Sequence, residues 1–151
     1  MGDIIEVEVQ GLKELEQELL ALPDKIGGRV LQSALTSAAL PIVAEAKAKV
    51  PLAHAAYRLY GGGVANPGWL MDRIVRKKVR EGGNSAEVII TVTDRRQSYF
   101  WKFIEFGTSK MAAHPFLRPA FEAKATEALE RFKARLQAGI AAAVTRLKFT
   151  R

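Results

Sequence analysis

A chain of 151 residues that is 48% apolar and 26% charged can bury the core of one domain, which excludes wholesale disorder, and its lack of cysteine excludes disulfides and thiolate metal sites. Twenty-three Lys and Arg against sixteen Asp and Glu leave a net charge of +7, unevenly placed: residues 1–22 hold six acids and one base, residues 23–151 ten acids and twenty-two bases. A net −5 segment ahead of a net +12 body suits either nucleic acid near the basic part or an acidic arm docking on a basic neighbour.

The opening residues carry no basic stretch leading into an apolar one, and charge breaks every apolar run before 18 residues, so neither a signal peptide nor a membrane span is expected. From Asp3 to Gln10, Ile5, Val7 and Val9 alternate with Glu6, Glu8 and Gln10, the period of a half-buried strand or arm, and Gly11 ends it. Leu12, Leu15, Leu19 and Leu22 then recur at helical spacing, and Pro23 closes this short helix. A second helix is predicted from Asp24, a candidate N-cap, through Ile26, Val30, Ala34 and Ala38 to about Lys49, with a kink or break near Leu40 because Pro41 removes a ladder hydrogen bond at a cost of about 3 kcal/mol.

Residues 52–68 hold Gly61-Gly62-Gly63 and Asn66-Pro67-Gly68, whose backbone entropy disfavours a regular element, and read as a long flexible loop after the second helix. Ile74–Arg80 and Ala86–Thr93 flank a glycine-bearing turn and read as a hairpin. The aromatic stretch Ser98–Phe106 is too short to settle its own period and fits a strand or a helix. Pro119 suits the first turn of a last helix over 119–147, with Phe121, Ala125, Leu129, Phe132, Leu136, Ile140 and Leu147 on its apolar side. The sum is an α+β fold: a small antiparallel sheet packed against two long helices, in a single domain over residues 1–151.

Catalytic patterns are sparse. His54 and His114 stand sixty residues apart without a cysteine between them, which argues against a metal centre, and no nucleophile elbow, Walker loop or dinucleotide fingerprint occurs. Glu105, flanked by Ile104 and Phe106, is the one carboxylate set deep in an aromatic stretch. It could act as an acid or base with a raised pKa, or as a salt-bridge partner or backbone cap, and the absence of a partner carboxylate or histidine favours the structural role.

The run Arg73, Arg76, Lys77, Lys78 and Arg80 on the first hairpin strand is the best candidate for phosphate contact. It equally suits a solvated strand edge whose cations discourage pairing with other chains. Arg131, Lys133, Arg135, Arg146, Lys148 and Arg151 place a basic outer face on the last helix.

The segment Glu105-Phe106-Gly107-Thr108-Ser109-Lys110, a short spacer ending in His114, and Pro115-Phe116-x-x-Pro119-Ala120 carries the most information. Gly107 permits a backbone turn closed to other residues, Pro115 and Pro119 restrict the approach to a helix start, and Phe106 and Phe116 are expected to anchor both ends of a rigid polar loop, with His114 as a hydrogen-bonding loop residue. Wording and order resemble the signature of the tail-component family of lambda-like long-tailed bacteriophages, the neck, head-tail joining or tail-completion proteins. Upstream, Val50-Pro51, Gly68-x-Leu70 and Ile74 resemble the same family, whereas Asp72-Arg73 replaces its usual residues and the 52–67 loop is longer than typical.

The resemblance implies a virion structural protein, made in the bacterial host cytoplasm, without catalysis, cofactor, metal or membrane. It implies a ring, expected to be a hexamer, at the head-tail junction, between head-closure and tail-terminator or tail-tube proteins, with DNA passing non-specifically through the lumen. A basic DNA-binding accessory protein is the alternative, and a small hydrolase built on Glu105 a third reading.

Overall fold

The computed structural model describes residues 11–79 and 85–150. The expected strand at 3–10, the hairpin turn at 81–84, Arg80 and Arg151 lie outside them. In chain order the elements are α1 (Leu12–Leu20), α2 (Asp24–Lys49), β1 (Tyr57–Arg58), β2 (Val64–Ala65), α3 (Trp69–Asp72), β3 (Ile74–Lys78), β4 (Val88–Val92), α4 (Trp101–Phe106) and α5 (Leu117–Phe149). The fold is α+β as expected, but its strands form two separate antiparallel ribbons, β1–β2 and β3–β4.

The frame is the pair α2 and α5, 26 and 33 residues long, the latter about 50 Å at the α-helical rise. Three apolar clusters are strung along it. At one end Leu15 and Leu22 of the N-terminal region meet Ala34 of α2 and Leu136, Ile140 and Ala143 of α5. In the middle Ala38 and Ile42 meet Ala128, with Ile90 of β4 alongside. At the other end Ala46, Val50, Leu70, Ile74 and Val92 enclose Phe116 and Ala120. Alanines dominate the facing positions, so the two backbones approach closely. The tightest place is Gly139, where an added Cβ would lie 2.7 Å from Val30 Cγ1.

Of the kink or break expected near Leu40, the break does not occur: α2 runs on through Pro41, which is buried. Ala38 and Ile42 on either side are held against α5, so packing over the full length offsets one missing ladder bond. Asp24 is the first helical residue rather than the cap; Pro23 occupies that place, and its carbonyl accepts the N–H groups of Ile26 and Gly27. The glycine-rich stretch is also more regular than expected. Tyr57 pairs with Ala65 and Arg58 with Val64, and Gly61, Gly62 and Gly63 form the tip at φ 86°, 102° and 96°, values other residues rarely adopt. The β3–β4 hairpin pairs Ile74 with Val92 through Lys78 with Val88, close to the predicted bounds. The last helix begins at Leu117, two residues before Pro119, and Phe121 and Leu147, expected in the core, are 47% and 38% exposed.

Gly139→Ala gains about 1 kcal/mol of helix propensity but forces a methyl into the stiff, β-branched Val30. The variant is expected to lose about 1 kcal/mol net in chemical denaturation, and Val30→Ala in the same chain should recover part of that loss. A stabilised Gly139→Ala chain would show that the helices are not so close.

Candidate functional site

α4 settles the period of the aromatic stretch. Trp101, Ile104 and Glu105 turn inward, Trp101 and Ile104 packing on the Phe116 cluster, while Lys102, Phe103 and Phe106 turn outward. Glu105 is only 6% exposed and ends in the mouth of α5. Its Oε2 accepts the N–H groups of Phe116 at 2.8 Å and Leu117 at 3.0 Å, and its Oε1 accepts that of Arg118 at 3.0 Å.

A helix start leaves several N–H groups without intrahelical partners. Here each is accounted for. Glu105 takes three, Pro119 has no N–H to satisfy, and the Ala120 N–H opens the helical ladder by donating to the Phe116 carbonyl at 3.3 Å. The carboxylate also sits at the positive end of the α5 dipole, which favours its charge. Of the roles open to Glu105, the structure shows the backbone cap.

Between the carboxylate and the helix it caps, the chain makes a tight loop. The Gly107 N–H donates to the Phe103 carbonyl at 2.8 Å and closes α4. Thr108 and Met111 exchange backbone bonds, Thr108 N–H to Met111 O at 2.8 Å and the reverse at 3.3 Å, and the Lys110 N–H donates to Thr108 Oγ1 at 3.3 Å. The His114 N–H donates to the Ile104 carbonyl at 2.7 Å, so His114 holds the loop through its backbone while its side chain is exposed. Gly107 sits at φ 72° and ψ 177°, and a Cβ there would lie 2.9 Å from Ala113 N and 3.0 Å from Met111 O, backbone atoms that cannot swing aside. Thr108, Ser109, Lys110 and Pro115 face solvent.

Only one of the two expected anchors is an anchor. Phe116 is fully buried, but Phe106 is 75% exposed. Helical geometry explains the difference: with Glu105 turned into the core, the next residue, about 100° further round, must turn away. Phe106 instead lies one turn on from Phe103 along α4, on the side that carries an exposed group of aromatic rings. Tyr99 lies edge-on to Phe103 at 6.1 Å and to Tyr60 of the glycine-rich hairpin at 6.3 Å, and Tyr60 is 70% exposed. Beneath them Trp69 stacks on Phe100 at 6.4 Å, and Tyr57 meets Phe100 edge-on at 5.9 Å, its phenol pKa raised by burial. Tyr60 was not legible as a site residue, because nothing local in a glycine-rich loop announces a partner forty residues on.

The basic run expected on the first hairpin strand divides, with Arg73 falling before β3 at the end of α3. Arg73 stacks its guanidinium over the Trp69 ring at 4.8 Å, and Arg76 donates to the Thr36 carbonyl of α2. Lys77 points to the other face of the strand from Arg76 and Lys78. Arg76 and Lys78 instead join Arg29 of α2 and Arg135 of α5 around a polar groove of about 670 Å³, a grouping that sequence spacing could not reveal.

Over residues 13–107 the chain matches the family described as "Bacteriophage HK97-gp10, putative tail-component". The chain belongs to this family. No curated protein and no solved structure matches it. The match includes Glu105, Phe106 and Gly107 and ends there, so the Pro115-Phe116-x-x-Pro119-Ala120 half of the loop motif, and α5, lie beyond it.

The HK97-gp10-like family is one of structural tail components of phages, not of enzymes, and places the protein in the virion. Among the described residues no cluster of His, Asp and Glu is arranged to hold a metal ion, and no helix is long and apolar enough to cross a membrane.

Replacing Glu105 tests the cap. Glu105→Gln keeps the shape but loses the charge and one acceptor, and should cost about 2 kcal/mol in chemical denaturation, the scale of charge-assisted hydrogen bonds to a buried group. Gly107→Ala should cost as much or more through strain and overlap. Unchanged denaturation midpoints for both would mean that the loop is not held as described.

Proposed function

We propose that this tail-component protein closes into a ring at the head-tail junction of a tailed phage or prophage, six copies around the tail axis, joining head-closure proteins on one side to tail-terminator or tail-tube proteins on the other, with DNA passing through the lumen. The observation that carries this reading is the aromatic face of Tyr60, Tyr99, Phe103 and Phe106, left open to solvent beside the capped loop. Soluble monomers rarely leave contiguous aromatic surface uncovered, and Tyr and Phe held rigidly bury much area at small entropic cost, the qualities of an interface centre.

A closed ring of identical copies needs two different complementary patches per subunit. The aromatic face supplies one. A shallow apolar groove supplies the second: Leu35 of α2, Val88 and Ile90 of β4, and Phe121 and Leu129 of α5 line about 290 Å³. The polar loop tip, Thr108 to Lys110, stands beside the first patch and is offered to the axial neighbours. Clamping at Glu105 and Gly107 gives that tip one conformation before assembly, so little ordering entropy is lost when it docks.

Tyr99→Ser with Phe103→Ser should leave the helical circular dichroism and the unfolding midpoint nearly unchanged, because both rings are half exposed. Ring formation should be lost, and in a complementation assay negative-stain images should show filled heads and finished tails lying apart. Normal particle yield with this variant would refute the proposal.

A further inference from the structure

Resting on the ring reading, we propose that the N-terminal segment Asp3–Gln10 of one copy adds as a strand to the open edge of β3 in the next copy, setting Glu6 and Glu8 against Arg76 and Lys78.

The groove beside β3 is built to receive such a segment. Its strand residues come from β3 and none from β4, and among the described residues β3 is paired on the β4 side only, which leaves the other edge of β3 open to an added strand. Arg29, Arg76, Lys78 and Arg135 surround it, the hydroxyls of Ser33, Thr36 and Ser37 line its helical wall, and no carboxylate lines it among the described residues. The chain's own acids are concentrated at its other end: residues 1–10 carry Asp3, Glu6 and Glu8 and no base.

The periods agree as well as the charges. Arg76 and Lys78 lie two apart on one face of β3, about 6.6 Å along a strand, as Glu6 and Glu8 would on theirs. With the acids over the groove, Ile5, Val7 and Val9 would fall on the other face of the added strand, the one on which β3 carries the half-buried Val75 and the exposed Lys77. The two acids therefore meet the two cations in a single register, the condition for specific strand addition.

A polypeptide also fits this groove better than a phosphodiester does. An unpaired strand edge presents both N–H and C=O groups, and Gln32, which lines the groove and donates through Nε2 to the Glu87 carbonyl at 3.3 Å, holds its Oε1 buried without a donor. An added strand brings carboxylates, carbonyls and N–H groups, whereas a phosphodiester brings acceptors alone.

The donor of the segment is a neighbour because of where the segment leaves. Gly11 lies with Gln137, Ala141 and Lys148 along one side of α5, and the groove lies on the other, at Arg135.

The lack of cysteine makes the test clean. Full-length chains carrying Glu8→Cys and, separately, Lys78→Cys are mixed and oxidised. The mixed disulfide dimer should dominate over either homodimer and be lost in 1 M NaCl, where the Debye length falls to about 3 Å, and in a groove variant carrying Arg29→Glu and Arg135→Glu. No mixed dimer, or a doubly substituted chain that closes only on itself, would overturn docking between copies. So would loss of duplex-DNA affinity in the groove variant without any cross-link, which would assign the groove to phosphates. Mass spectrometry of purified particles keeps the two ideas apart: the chain present in particles but uncross-linkable defeats the docking alone, and its absence from particles defeats the ring reading.

Discussion

One buried carboxylate organises the loop end of the molecule. Glu105 spends its two oxygens on the N–H groups of the capping residue and the first two residues of a 33-residue helix, and in doing so ties α4, the loop and α5 into a single unit. Each oddity of the loop motif follows from that contact. A proline is tolerated at position 119 because three donors are taken and the fourth is removed. Glycine is needed at 107 because the chain must turn back within van der Waals contact of its own backbone. Phenylalanine at 116 seats the helix start in the core, while the one at 106 is thrown outward by the same rotation that buries Glu105.

The remainder of the fold serves as a stiff mount for that unit. Alanine-lined contact between α2 and α5 fixes the long axis, and the clusters along it hold α1 at one end and the β3–β4 hairpin with the loop at the other. The mount leaves three surfaces unsatisfied: an aromatic face, an apolar groove at β4 and a basic groove at β3. The two grooves are lined by different residues of α2, Arg29 to Leu40 for the basic one and Leu35 to Ile42 for the apolar one, so they are separate surfaces.

Much of this was readable from the chain, for reasons that also explain the failures. Periodicity placed α1 by its leucines and β4 by its alternation, and both hold because each buries one face. The loop motif located the candidate site because its constraints are local: a turn that needs glycine and prolines that restrict a helix start. Pro41 does not end α2, because local propensity yields to packing distributed over 26 residues. Within the expected loop the short pairing of residues 57–58 with 64–65 went unread, because glycines mark the tip of a hairpin as readily as a longer loop. Whether Phe106 faced in or out depended on the helical phase of α4, which a six-residue stretch does not fix. Tyr60, Arg29 and Arg135 joined the candidate surfaces only through contacts far apart in sequence.

The cap itself is open to a direct measurement: amide hydrogen exchange at Phe116, Leu117 and Arg118, resolved by NMR in the unaltered protein and in Glu105→Ala. With the carboxylate holding them, these three amides exchange slowly in the unaltered chain and are freed selectively by the substitution, while amides in the middle of α5 keep their protection. Amides at 116–118 that already exchange as freely as an exposed loop, or that do not respond to loss of the carboxylate, would contradict the account.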